Sequence, residues 1–148
     1  ARARHLYTQA ALGFCREQNV PGEDVFGDSV APVLAAGLAD VVAEDADLGD
    51  GLRLDPTPGH TPGHVSLSIE SGGEVGLITG DFMHHPVQFA EPRWAQIADV
   101  DAAQARDTRQ RLMMRVAESG ELVIGTHFAA RPAGRVVADG TAWRYRPL

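Results

Sequence analysis

A loop built from prolines and glycines constrains this chain more than any other stretch: residues 57–64 read Thr-Pro-Gly-His-Thr-Pro-Gly-His. Histidines four positions apart would share one face of a helix, but the two prolines and their neighbouring glycines exclude a helix here. His60 and His64 are therefore expected on a stiff loop. From His64 to Glu70 polar and apolar residues alternate, which predicts that the loop runs into a half-buried strand.

A hairpin is expected directly after this strand, because two glycines at 72–73 separate two apolar runs. A two-residue loop at these glycines would pair Ser71 with Glu74. The same register, continued along both strands, opposes His64 to Asp81. Opposed residues have Cβ atoms roughly 4.5–5.5 Å apart and project to the same face of a sheet. The hairpin therefore predicts that these two side chains meet at one sheet edge.

A third candidate, His127, follows the short strand predicted at Leu122–Gly125. Like His64 and Asp81, it then lies at a strand end, where a rigid scaffold can hold it for metal binding. Imidazole and carboxylate suit zinc, manganese or iron, and a carboxylate can bridge two ions. For any single histidine a hydrogen-bonded loop residue is the better interpretation, but the three residues together favour a metal site.

Three further histidines lie close to these candidates in the sequence. His60 can serve as another ligand, although its place in the proline-rich loop favours a role in bracing the loop beside the site. His84 and His85 come soon after Asp81. One of them is able to reach the site, while the other packs beneath Pro86.

The remaining patterns predict the other elements of the fold. The longest helix is expected at Asp101–Ser119, with Asp101 as its N-cap and with Met113 and Met114 among its core residues. Nearby charged residues are interpreted as helix caps and surface pairs: Asp99, Asp101, Arg106, Asp107 and Arg109. Other expected elements are helices at Arg4–Gln18 and Asp28–Ala36, strands at Asp40–Glu44, Gly51–Asp55 and Val75–Thr79, a solvated turn at Glu44–Asp50, and a hairpin of Arg135–Ala138 with Thr141–Tyr145.

Length and composition are typical of one globular domain, since 148 residues with 44% apolar side chains are enough for a single core. A formal charge of −7 argues against nucleic acid or an anionic membrane as a partner, because both attract clustered lysine and arginine. Cys15 is the only cysteine, which excludes an intrachain disulfide. No apolar run is long enough to span a membrane, and a cytoplasmic location is expected.

Three segments of the chain together resemble a known family. Thr57–His64, Leu77–Asp81 and Ile124–Phe128 resemble the third, fourth and fifth metal-binding motifs of the metallo-β-lactamase superfamily. The run Gly80-Asp81-x-x-His84 looks most like the branch that contains quorum-quenching lactonases and methyl parathion hydrolase. The resemblance implies an α/β (α+β) fold. The chain would be the C-terminal half of an αβ/βα sandwich, with a mostly antiparallel sheet and helices on one face.

The resemblance also implies a metal site with defined roles. His64 would bind the first of two divalent ions, expected to be zinc, Asp81 would bridge both ions, and His127 would bind the second. A hydroxide bridging the metals would attack a lactone, ester or phosphotriester, with Asp81 as the catalytic carboxylate that positions it. His60, His84 and His85 would support the ligands or line the substrate loop.

Other functions remain open beside this hydrolase. Within the enzymes, the alternatives are a β-lactamase and a thioester hydrolase of the glyoxalase II type. Outside them, the chain would be a non-catalytic fold remnant or an assembly module whose histidines only brace loops.

One departure from the family pattern bears on all of these expectations. The first two family motifs, which carry a His-x-His-x-Asp-His signature, occur nowhere in the sequence. Residues 1–148 are therefore expected to form a single domain that lacks the N-terminal half of the fold and part of the ligand set. We expect weak metal binding and little activity from this chain alone, although its parent would act as an enzyme on a small molecule. An uncovered sheet face favours a homo-oligomer or association with the missing half.

Overall fold

One seven-stranded sheet organises the chain in the computed structural model, which describes residues 3–18 and 22–148. Its strands are β3 (Asp47–Gly49), β4 (Leu52–Pro56), β5 (Val65–Ser71), β6 (Glu74–Ile78), β7 (Leu122–Ile124), β8 (Ala133–Asp139) and β9 (Ala142–Pro147). They lie side by side in chain order, and neighbours are antiparallel except for the parallel pair β6 and β7. The predicted mixed fold with a mostly antiparallel sheet is confirmed.

The hairpin of β5 and β6 has the predicted register, with Ser71 opposite Glu74. The chain leaves the sheet after β6 and forms a 3₁₀ turn at Gly80–Phe82. His64 and Asp81 are therefore not an opposed pair of the ladder. They approach each other from beyond the strand ends, where a hydrogen bond joins them.

The long helix α4 (Ala102–Ser119) packs across one face of the sheet and is capped as predicted. The Asp101 carboxylate accepts hydrogen bonds from the N–H groups of Ala103 and Gln104, and Gly120 ends the helix with a left-handed φ of 72°. Neither α4 nor any other helix among the described residues is long and apolar enough to cross a membrane. The core between helix, sheet and loops contains Leu77, Phe82, Met83, Phe89, Leu112, Met113, Val116, Val123, Phe128 and Val136.

The two adjacent methionines of α4 have different environments. Met113 is 1% exposed and belongs to the core, as predicted, whereas Met114 is 50% exposed. Each helical residue is rotated by about 100° from the one before it, so Met114 lies about 200° around the helix from the core residue Leu112 and faces away from the sheet. The prediction that Met114 is a core residue is wrong.

The helix predicted at Arg4–Gln18 is wrong in its first part. His5–Thr8 forms strand β1, which pairs in parallel with β2 (Ala39–Val42) in a separate two-stranded sheet. Only α1 (Gln9–Glu17) is helical, and the Thr8 hydroxyl caps its first turn. Strand pairing with a distant segment here overrides a local helical pattern.

Two connecting segments also differ from the prediction, and a third contains a short helix. The segment expected as one helix at Asp28–Ala36 is a π-helical turn at Phe26–Val30 followed by α2 (Ala31–Ala35), without a side-chain cap. The acidic stretch expected as a solvated turn contains β3, which extends the sheet by one strand. The long connection after Asp81 contains the short helix α3 (Val87–Ala90).

Replacing Met113 by alanine is expected to lower the free energy of unfolding by about 2–5 kcal/mol, because it leaves a cavity between α4 and the sheet. The matched control Met114→Ala is expected to change it by less than about 0.5 kcal/mol, since that side chain is half exposed. Urea denaturation of the full-length protein measures both values. Equal losses for the two variants would contradict this packing.

Candidate metal centre

Four imidazole rings gather at the sheet edge where the carboxyl ends of β4, β6 and β7 lie beside the amino end of β5. Ring centroids are 6.1 Å apart for His60 and His64, 5.0 Å for His60 and His84, and 4.8 Å for His84 and His127. Each histidine lies on a loop that leaves or enters a strand. The sheet therefore brings together side chains from three separate parts of the sequence.

Asp81 lies at the centre of this histidine cluster. Its Oδ1 is 2.9 Å from Nε2 of His127, and its Oδ2 is 3.5 Å from Nε2 of His60. Its backbone N–H donates a 2.8 Å hydrogen bond to Nε2 of His64. Three imidazoles thus contact one residue, two of them through its carboxylate and one through its amide.

The hydrogen bonds of His64 define the state of its ring. Because Nε2 accepts from the Asp81 amide, the proton of the neutral ring is on Nδ1, which lies 3.1 Å from the carbonyl oxygen and 2.7 Å from the hydroxyl of Thr57. Burial lowers the pKa of His64, and the Asp81 charge opposes this shift only in part. The neutral ring is the form that binds a metal, and an ion at Nε2 would replace the amide hydrogen bond.

A chain of buried hydroxyl groups fixes the loops below the cluster. Thr57 Oγ1 is 3.2 Å from Ser66 Oγ, which donates a 2.8 Å hydrogen bond to the carbonyl oxygen of Thr79. Thr79 Oγ1 in turn accepts from the N–H of Thr126, beside His127. Sequence alternation suggested that the polar side of β5 faces water, but Ser66 is only 1% exposed. This polar face is buried, and its hydroxyls connect β5 with the ends of β4, β6 and β7.

Several features of the cluster fit a divalent metal ion. One donor atom from each of His60, Asp81 and His84 lies within 4.8 Å of the others. Nδ1 of His84 is buried and has no hydrogen-bond partner in the described part of the chain. Burial, together with the neighbouring His60 and His127, lowers the pKa of His84 and favours its neutral form. Imidazole and carboxylate donors in this combination suit zinc, manganese or iron.

Some of the predicted site residues lie in the cluster and one lies outside it. Asp81 contacts both other members of the predicted ligand set, His64 and His127, although through different groups. His84 lies inside the cluster, stacked on His127 at an interplanar angle of 15°. His85 lies outside it on an exposed turn, where its Nδ1 accepts from the N–H of Val87.

Sequence reasoning missed two buried charges beneath the cluster. Asp99 and Arg109 were expected at the surface, but both side chains are 0% exposed and form a 3.3 Å ion pair. Asp99 Oδ1 also lies 3.2 Å from Nδ1 of His60. One signal was present in the sequence: Arg109 follows Ala105 by four residues and precedes Leu112 by three, which places it on the apolar stripe of α4.

Comparison with known proteins identifies the family. The model of the metallo-β-lactamase superfamily matches residues 11–126. The chain belongs to this superfamily. A comparison with curated protein sequences found no match.

Solved structures of several hydrolases share the fold of this member of the superfamily. The hydrolase AbOPH is 24% identical with a TM-score of 0.86, over 99% of this chain and 55% of its own. AidC, a dizinc quorum-quenching lactonase, is 16% identical with a TM-score of 0.80, over 97% and 54%. A probable metal-dependent hydrolase from Staphylococcus aureus is 17% identical with a TM-score of 0.76, over 96% and 52%. The chain thus spans about half the length of these proteins.

Gly80 allows His64 to approach the turn that carries Asp81, and its replacement tests this geometry. Gly80 has φ of +55°, and an added Cβ would lie 2.7 Å from Nε2 of His64. Gly80→Ala is expected to lose about 1–3 kcal/mol of unfolding free energy from the clash, in addition to the left-handed backbone penalty. Gly72→Ala is the matched control, since φ is +60° with nothing within 4 Å of the added Cβ. Equal destabilisation, measured by urea unfolding, would mean that His64 does not lie against Gly80.

Proposed function

We propose that this chain carries one set of ligand loops of a dinuclear metal-dependent hydrolase, in which His64, Asp81 and His127 hold the metals. The observation that supports this most directly is the arrangement around Asp81. Its carboxylate and amide contact three imidazoles from two different loops at one sheet edge. Membership of the metallo-β-lactamase superfamily agrees with such a site.

Hydrolysis at this site would depend on the bound ions and on Asp81. When bound, two divalent ions would polarise the oxygen under attack and lower the pKa of a water molecule. Asp81 can orient that water and accept its proton, because both carboxylate oxygens point into the cluster. In lactone hydrolysis the water oxygen bonds to the carbonyl carbon, the ring C–O bond breaks, and the departing oxygen takes a proton.

Lactones are the substrates that we favour, with esters and phosphotriesters as the other candidates. AidC, whose fold this chain shares, is described as a dizinc quorum-quenching lactonase in complex with a homoserine product. The identity between the two chains is 16%, so the fold carries over and the substrate is our inference. β-Lactams and thioesters belong in the same assay panel, since each would be opened by the same attack on a carbonyl carbon.

The ligand set of this chain is too small for two metals, so we propose that further ligands come from outside residues 1–148. A zinc ion usually takes four ligands, and His64, Asp81 and His127 cannot supply both ions. The sheet face that α4 does not cover is open and apolar. Ile69, Leu122 and Ile124 line a shallow cavity there. We assign residues 1–148 to one domain whose open face is covered by the rest of the fold or by a second copy of the chain.

Removing the proposed ligands should abolish both metal binding and hydrolysis in the full-length protein. His64→Ala and Asp81→Asn are each expected to lower kcat/KM for a lactone by more than about 100-fold and to lower the bound zinc, because each removes a donor. His5→Ala is the control, since His5 is exposed in β1, which belongs to a different sheet from the one that carries the cluster. Zinc content is measured by atomic emission and activity by lactone opening.

The outcomes of this experiment separate the two classes of function. Undiminished activity in both variants would defeat the metal-hydrolase proposal. A wild-type protein that holds no zinc and opens no member of the substrate panel would favour a non-catalytic module whose histidines only brace loops. Loss of metal and activity together, with an unchanged His5 variant, is the result that we expect.

A further inference from the structure

A fully buried ion pair lies directly beneath the histidine cluster. The Asp99 and Arg109 side chains are both 0% exposed, and Nη1 of Arg109 is 3.3 Å from Oδ2 of Asp99. Taking two charges out of water is costly, and an apolar pair of similar volume is often as stabilising. Burial accordingly lowers the pKa of Arg109, although Asp99 opposes the shift. Stability alone therefore does not explain why these two residues are charged.

The contacts of the pair supply an explanation, because they reach both parts of the cluster. Asp99 Oδ1 lies 3.2 Å from Nδ1 of His60, on the proline-rich loop. Arg109 Nη1 donates to the carbonyl oxygen of Phe82, next to Asp81 on its 3₁₀ turn. The backbone reinforces the first contact, since the N–H of Val100 donates a 3.0 Å hydrogen bond to the carbonyl oxygen of His60. One ion pair thus connects the histidine loop with the aspartate turn.

The chemistry of this contact determines which nitrogen of His60 carries a proton. An ionised carboxylate only accepts hydrogen bonds, so a ring nitrogen that faces it must donate. Nδ1 of His60 therefore carries a proton. Nε2 of the same ring faces a second carboxylate, 3.5 Å from Oδ2 of Asp81, so His60 lies between Asp99 and Asp81. Carboxylates that orient the far side of a metal-site histidine in this way fix both its tautomer and its direction.

We propose that Asp99, held in place by Arg109, is a positioning residue that keeps the proton of His60 on Nδ1 and directs Nε2 at the Asp81 carboxylate. The consequence for metal binding rests on the proposed function of Asp81. The tautomer of His60, in contrast, can be measured without substrate. Asp99 touches neither substrate nor metal in this assignment and acts through His60 alone.

Imidazole ¹⁵N NMR of the zinc-loaded, full-length protein tests the proposal, with the His60 signals assigned by their loss in His60→Gln. The wild-type ring is expected to carry a proton on Nδ1. In Asp99→Asn the amide can donate as well as accept, so Nδ1 is no longer required to hold the proton and its N–H signal should weaken or vanish. The zinc dissociation constant, measured by chelator competition, is expected to rise about tenfold.

Asp101→Asn is the matched control for this variant. It makes the same substitution two residues away, at the exposed cap of α4, and asparagine caps helices as well as aspartate does. Neither the His60 signals nor the zinc affinity should change in it. A change of equal size in both variants would overturn the specific role of Asp99.

A second variant keeps the test decisive if Asp99→Asn unfolds because the Arg109 charge loses its partner. Asp99→Leu combined with Arg109→Met removes both charges and preserves apolar volume, so the protein is expected to stay folded. Its His60 ring should then populate both tautomers, with zinc affinity lowered by about tenfold. A double variant that keeps the wild-type tautomer and zinc affinity would overturn the proposal.

Failure of this inference and failure of the proposed function would give different results. A wild-type His60 with its proton on Nε2 alone, or an unchanged tautomer and zinc affinity in Asp99→Asn, would overturn the positioning role only. Full activity in His64→Ala and Asp81→Asn would overturn the proposed function, whatever the state of His60.

Discussion

The structure depends on how the proline-rich loop at residues 57–64 satisfies its backbone. Without a helix or a ladder of its own, the loop must find partners for its carbonyl groups among its neighbours. The segment leading into α4 supplies two, through hydrogen bonds from Val100 to His60 and from Asp101 to Gly59, and the Thr108 hydroxyl supplies a third at Pro58. The loop is thus held between the helix and the sheet, and its histidines are held with it.

This arrangement explains why the polar residues of the site are buried rather than solvated. The hydroxyls of Ser66 and Thr79 and the charges of Asp99 and Arg109 lie under the cluster and connect the loops that carry its histidines. Buried polar groups are stable only when they are paired, so each contact restricts the position of a loop. A metal site requires such restriction, because its ligands must keep their geometry when the ion is absent.

Much of this could be predicted from the sequence, since the strongest signals are local. The two glycines of the β5–β6 hairpin and the cap at Asp101 act within a few residues, and both predictions are confirmed. Strand β1 and the burial of Asp99 were missed because they depend on contacts with distant segments, β2 and His60. For Arg109 the apolar stripe of α4 was a local signal, whereas no local pattern shows that Asp99 faces His60. The family motifs identified the superfamily correctly, while the roles of the individual histidines stay predictions.

We propose that Asp81 is the carboxylate on which the metal site is built, with His64 and His127 on its two sides. Anomalous diffraction at the zinc absorption edge, from crystals of the full-length protein grown with zinc, tests this most directly. Two peaks are expected beside the Asp81 carboxylate, one near Nε2 of His64 and the other near Nε2 of His127. Zinc peaks elsewhere in the protein, with none beside Asp81, would contradict it.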